Sequence, residues 1–377
     1  MPDSRTYSLK KLAKLPFSYA RKTRTGLFIS CVLIALILTY ISGDISFTTT
    51  QNQVLFLLFF AIGLWFTEAI PPFAVGILIV GFMVFIMSRE DQVDAYKYVQ
   101  TWSDGVIWLF LGGFFLAEGM KKTRLDMSVL KRVAPKFGTK TKYIALGFMM
   151  VTAILSMVMS NTATTGMMLA TLAPLIKNKG ETRVQQVFLL GIPASAAVGG
   201  MGTIIGSAPN AIAVGALENV GIKVSFIEWM AIGMPVSLLL TYLFWLLLVK
   251  KFDLKNETTN LEFLKTLDTE EKRSDDRAQK NIMIAILALT IFLWLTSQWT
   301  LIPVAAVSGI PIVGLTMLGV IDADDVRSLP WDTLMLVAGG LALGMAVQEQ
   351  GLIDYFVEKI SHYELNYFVL LVVFSFV

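Results

Sequence analysis

Long apolar runs recur along this chain: Gly26–Tyr40, Val54–Phe66, Phe73–Met87, Val106–Ala117, Ile232–Val249, Ile282–Leu295 and Pro303–Ile321. A helix needs about 20 apolar residues to span a bilayer, so the shorter runs must borrow their polar flanks. None of them alternates with period two, as the strands of an outer-membrane barrel would. Only 16% of the residues are charged, against about 25% in soluble domains. The chain is therefore expected to be an all-α polytopic membrane protein. Its surroundings are the lipid bilayer, and no nucleic-acid partner is expected.

Charge sets the topology. With the N-terminus in the cytoplasm, residues 1–25, 121–142, 177–186, 250–280 and 322–330 hold 27 of the 31 Lys and Arg. The external residues 43–53, 89–104, 218–230 and 351–365 hold the other 4. This is a strong positive-inside bias; the expected location is the plasma (inner) membrane, multi-pass with a cytoplasmic N-terminus. No small-residue cleavage site follows the basic first 25 residues, so the first helix is read as retained. Cys31 is the only cysteine, which excludes an intramolecular disulfide.

The topology closes only if residues 143–176 enter and leave on the same side. Lysines flank this segment at both ends, and its middle reads "MSNTATTGMML", Met159–Leu169. Irregular backbone at membrane depth is tolerated where protein or a watery cavity covers it. A re-entrant helical hairpin with Ser160-Asn161-Thr162 at its tip fits. Two ordinary helices, or one long helix with its hydroxyls bonded to its own backbone, would also accommodate the composition. A second irregularity is "GGMGTIIGSAPNAIAVG", Gly199–Gly215, whose glycines and Pro209 disfavour an unbroken helix. The break is expected near Ser207–Asn210. Gly202 and Gly206 also have the GxxxG spacing of close helix packing.

"WSDGVIWLFLGGFFLAEGMKKTRL" from Trp102 resembles "WDTLMLVAGGLALGMAVQEQGL" from Trp331. Gly112-Gly113 align with Gly339-Gly340, and Leu125 with Leu352. By the charge argument the two copies run in opposite directions. Inverted repeats with broken helices point to secondary transporters with a site near the midplane. The same offset puts the partner of Ser160 near residue 387, beyond Val377. The expected organisation is a basic N-terminus (1–25), scaffold helices of a first repeat (26–142), and a transport segment with hairpin and broken helix (143–249). A cytosolic linker (250–280), scaffold helices of a second repeat (281–354) and the start of a second hairpin (355–377) follow.

Neither residues 143–176 nor 184–217 contain an Asp, Glu, Lys, Arg or His. A site there consists of hydroxyls, amides and backbone. A helix N-terminus carries about half a positive charge, so a few converging ends can meet one carboxylate but not neutralise a dianion. A cation held by neutral oxygens would supply the rest. Proton coupling normally uses a titratable intramembrane side chain, so sodium fits better. A sodium channel without an anionic substrate stays open, but it leaves the paired hairpin and broken helix unexplained.

The motif Ser160-Asn161-Thr162, "LWFTEAIPP" at Leu64–Pro72 and "GTIIGSAPNA" resemble the divalent anion/sodium symporter (DASS) family, over most of the chain. That resemblance implies a homodimer whose transport domains move as elevators against a scaffold. It implies C4-dicarboxylate, tricarboxylate or sulfate substrates, succinate-like dicarboxylates foremost, with sodium-independent dicarboxylate exchange or inorganic-anion transport as the alternatives. It also implies that Ser160, Asn161, Thr162 and Ser207 contact substrate, and that Ser156, Asn161 and Gly206 ligate Na+.

An enzyme is not expected. There is no HExxH, no GxSxG and no paired intramembrane carboxylates, and the single histidine, His362, neighbours a charged loop. Glu68, before Ile70-Pro71-Pro72, is read as structural. Glu118 is read as a helix-end partner of the following lysines. Leu125–Lys142 is read as a basic amphipathic stretch along the inner membrane surface.

Overall fold

The computed structural model describes residues 17–89, 95–173, 182–254, 275–361 and 366–376. His362, the first 16 residues and most of the linker lie outside these. The described residues are helical, and no strand occurs among them. The longer helices are α1 (Phe17–Ser42), α2 (Thr49–Thr67), α3 (Pro72–Met87), α4 (Gly105–Lys122), α5 (Leu125–Val133), α6 (Thr141–Ser156), α7 (Asn161–Thr171), α8 (Thr182–Gly199), α9 (Ala208–Asn219), α10 (Phe226–Phe252), α11 (Asp275–Leu295), α12 (Gly309–Met317), α13 (Trp331–Glu349), α14 (Leu352–Ser361) and α15 (Tyr367–Phe376). Among the described residues, seven helices are long and apolar enough to cross a membrane. On α1, Ile29, Leu33, Ile37 and Ile41 are each more than half exposed. In water so continuous an apolar face would be unfavourable at about 25 cal/mol per Å²; hydrocarbon removes that cost.

Packing divides the chain into two units, one of residues up to Trp102 together with Met335 onward, the other Ser103–Leu334. In the first, Leu55, Leu57, Leu64, Ile79 and Met83 are fully buried with Ala342 and Ala346 of α13. Glu68 ends α2 in a left-handed conformation, φ 48°, and α3 restarts at Pro72 with proline at its first position. Glu68 is thus structural through its backbone, while its side chain is exposed. In the second unit Glu118 pairs with Lys121 at 3.0 Å, and Lys122 pairs with Asp322 and Asp325.

The repeat recurs in three dimensions. Arg124 (φ 51°) and Gly351 (φ 66°) are both left-handed. Each directly precedes a short amphipathic helix, α5 from Leu125 and α14 from Leu352. The paired glycines occupy matching close contacts. A Cβ on Gly112 would sit 2.7 Å from the Cβ of Ser308, and one on Gly339 would sit 2.2 Å from the Cα of Gly76. Each GG helix of one repeat therefore packs on the proline-initiated segment of the other.

Helix α5 carries one buried acid. Asp126 is 4% exposed, and burial pushes its carboxyl up to about 6, against the pull of its backbone hydrogen bond with Met127 and of Lys280 and Arg124. Lys280 itself donates to Ser128 Oγ, which joins α5 to α11.

Two predictions follow from this packing. Gly339→Ala should destabilise the protein by about 1–3 kcal/mol or more, because the contacting atom is backbone. Gly344→Ala, on the same helix but with open space around it, should hold or raise the melting temperature, since alanine favours helix over glycine by up to about 1 kcal/mol; equal losses in both would refute the close-contact account. For Asp126 the raised folded pKa means that the folded state holds the proton more tightly than the unfolded chain. The stability it contributes is complete below about pH 4 and is lost as pH rises through about 6, on the order of 2–3 kcal/mol. Asp126→Asn should therefore gain on the wild type between pH 4.5 and 7, read as melting temperature in detergent; parallel profiles would mean that pairing offsets the burial.

Candidate functional site

Helix α6 spans about 24 Å and α7 about 16 Å at 1.5 Å per residue. Each is too short for a hydrocarbon layer of about 30 Å, as a re-entrant hairpin requires. The turn at 157–160 joins them, and Ser160 caps α7 by accepting from the Ala163 amide at 3.2 Å. Ser160 and Thr162 are exposed at the tip, Asn161 is half-buried, and Ser156 is fully buried.

The second irregular segment runs beside the tip. Helix α8 ends at Gly199, two 3₁₀ turns follow (Gly200–Gly202 and Ile204–Gly206), and α9 begins at Ala208. The break is thus at Gly200–Ser207, upstream of the expected Ser207–Asn210. Pro209 lies in the first turn of α9, where a missing N–H leaves no intrahelical bond unmade, so it starts the helix and does not break it. Gly202 and Gly206 lie in different 3₁₀ turns and form no GxxxG face.

The glycines are there for proximity. A Cβ on Gly200 would lie 2.5 Å from Asn161 Oδ1 and 2.8 Å from the Gly206 carbonyl oxygen, and one on Gly206 would lie 2.4 Å from the Gly200 carbonyl oxygen. Two residues hold the breaks together: Thr203, which the sequence did not single out, and Asn210, which it marked only as part of the expected break. Thr203 donates to the Met157 carbonyl. Asn210 Nδ2 donates to the carbonyls of Gly200 and Thr203, both at 2.8 Å. Both side chains are buried. Their signal in the sequence was only that buried polar groups in apolar surroundings must be paired.

Ser156 Oγ lies 2.7 Å from Asn161 Oδ1 and 2.8 Å from the Ala196 carbonyl oxygen. A hydroxyl has one proton, so three oxygens share one hydrogen and electron pairs are left over. Here the C-terminal ends of α6 and α8 meet, each worth about half a negative charge. The same place receives the N-terminal ends of α7 and α9, with their partial positive charge and the half-buried Ser207, whose side chain caps no helix amide. Of the expected site residues, the structure brings Ser156, Asn161 and Gly206 together around Gly200, with Ser160 and Thr162 at the adjoining tip and Ser207 at the adjoining helix start. No group of three or more His, Cys, Asp or Glu able to hold a metal occurs among the described residues. The donor set is neutral oxygen, which suits a hard cation and not a transition metal.

The family model for citrate transporters matches residues 21–377. The chain is 29% identical to the sodium-dependent dicarboxylate transporter SdcS of Staphylococcus saprophyticus and 28% identical to that of Staphylococcus aureus strain USA300. Each alignment covers 79% of this chain and 62% of the relative, so the chain spans less than two thirds of their length. With the hairpin, the broken helix and the repeat in place, the chain belongs to the citrate transporter family, related to the divalent anion/sodium symporters that its motifs resemble.

Proposed function

We propose that this protein is a secondary active transporter, not an enzyme, that carries C4-dicarboxylates such as succinate together with sodium. The observation that carries the reading is the oxygen-rich cluster of Ser156, Asn161 and Ala196 at two converging helix C-termini, beside two helix N-termini. The first feature suits a cation and the second a carboxylate. Ser156, Asn161 and the Gly206 carbonyl hold the sodium ion. Ser160, Asn161, Thr162 and Ser207 meet the substrate carboxylate. Asn161 belongs to both sets. The names of the relatives, sodium-dependent dicarboxylate transporters, support the same pairing of ion and substrate.

A homodimer in the plasma membrane with cytoplasmic N-termini completes the proposal. Residues 143–249 move as the transport element against scaffold helices in 26–142 and 281–354. That division is one of motion and does not follow the packing units. Sodium-independent dicarboxylate exchange is the second reading, favoured by the helix N-termini, which attract an anion without any cation. Uptake of labelled succinate into proteoliposomes, with sodium or choline outside and with or without succinate inside, separates the two.

Because Asn161 is shared, sodium and dicarboxylate should bind cooperatively, each raising the affinity of the other by the same factor, commonly about 5–150-fold. Asn161→Ala should remove most of that coupling in binding assays that compare sodium with choline. Equal succinate affinity of the wild type in the two salts would eliminate symport. Thr162→Ala and Ser207→Ala should weaken substrate binding, each by about 1 kcal/mol for a lost hydrogen bond, with expression and oligomeric state retained. Wild-type affinity in both would remove these residues from the substrate site.

A further inference from the structure

Hydroxyls in an apolar helix normally return to their own backbone. Four other buried helical threonines do so here: Thr152, Thr171, Thr241 and Thr290 each donate to the carbonyl four residues earlier, at 2.6–2.9 Å. Thr164 does not. It is fully buried, its Oγ1 has no partner, and the Ser160 carbonyl, four residues back, accepts from the Thr164 amide at 2.9 Å. The usual acceptor is present and the hydroxyl is not using it. An unpaired buried hydroxyl is unfavourable, so a group in such a place points to a ligand.

Its position says which ligand. Thr164 follows Asn161 by three residues, which puts the two on one face of α7 with Cβ atoms about 5–6 Å apart. That face continues through Met168 and Thr171, both buried. Side chains on a helix tilt toward its N-terminus, so Thr164 leans toward the level of Asn161 Oδ1 and the Ser156 cluster. No acid or base lies in this part of the chain, so the approaching group meets neutral oxygen only.

We infer that the Thr164 hydroxyl is a further oxygen ligand of the coupling cation, reaching it from one turn beyond Asn161. This rests on the reading of Ser156, Asn161 and Gly206 as the sodium site. Ser195 is the natural control, being the other buried hydroxyl without a partner among the described residues. It lies on α8 midway between Gly191, against Met149, and Gly199, against Ala153, and has no part in the proposed sodium site.

The test measures succinate uptake by the reconstituted protein against external sodium, balanced with choline, together with the rise in melting temperature that sodium gives the purified protein. Thr164→Val, which keeps the shape and removes the hydroxyl, should raise the half-saturating sodium concentration at least fivefold and shrink the sodium-dependent thermal shift. Thr164→Ser should stay within twofold of the wild type, and Ser195→Ala should change neither readout. Should Thr164→Val fold poorly, Thr164→Ala carries the same expectation. Sodium dependence lost in Ser156→Ala but intact in Thr164→Val would overturn the role of Thr164 alone. Sodium dependence intact in both would overturn the cation site beneath it. Equal shifts in Thr164→Val and Ser195→Ala would overturn the assignment too, since loss of any buried hydroxyl would then suffice.

Discussion

Broken backbone inside an apolar protein must find partners, and the organisation of Ser103–Leu334 around the site follows from two breaks finding them in each other. The turn at 157–160 and the segment 200–207 are joined by Thr203 donating to the Met157 carbonyl, and the helices leading into them by Ser156 reaching the Ala196 carbonyl. Neither break is stable alone, because each unpaired amide or carbonyl in hydrocarbon costs several kcal/mol. Their proximity explains Gly200 and Gly206, where any side chain would collide with oxygen atoms of the site. It also explains Asn210, whose side-chain amide donates to the Gly200 and Thr203 carbonyls of the interrupted segment.

The same breaks set the electrostatics. Two helix C-termini and two N-termini meet where no side chain is charged, so the local field is that of opposed half-charges. A half-charge about 4 Å from an ion contributes roughly 2 kcal/mol at an effective dielectric of 20. That is enough to favour an ion and its counter-ion together, and too little to hold a bare dianion. The matching contacts of Gly112 with Ser308 and of Gly339 with Gly76 show the same close glycine packing built twice, once around each copy of the repeat.

The sequence revealed much of this, and unevenly. Apolar run length and the distribution of lysine and arginine gave the helices. The spacing between the paired glycines gave the repeat, and the structure adds the matching left-handed residues Arg124 and Gly351. The hairpin tip was legible because polar residues in hydrocarbon need a reason. The position of the second break was not, since glycine and proline mark irregularity without saying where it begins; Pro209 turned out to start a helix. The roles of Thr203, Asn210 and Thr164 were not legible for another reason. Their significance lies in which atoms they bond, and a threonine bonded to its own helix is written with the same letter as one that is not.

The neutrality of the site has a mechanistic consequence. An aspartate in place of Asn161 would attract a cation whether or not substrate was present, and the cation could then cross alone. An amide and hydroxyls bind a cation weakly enough that a neighbouring carboxylate changes the balance. Asn161 Oδ1 is held by Ser156 at 2.7 Å, so a cation settling on that oxygen also fixes the residue at the hairpin tip that the carboxylate would meet. Linkage requires the converse with equal strength. Coupling by this route needs no charged side chain, and residues 143–176 and 184–217 contain no Asp, Glu, Lys, Arg or His. The absence of charge from the site is therefore a requirement of the proposed coupling: the ions themselves supply the only full charges, and each makes the other's binding favourable.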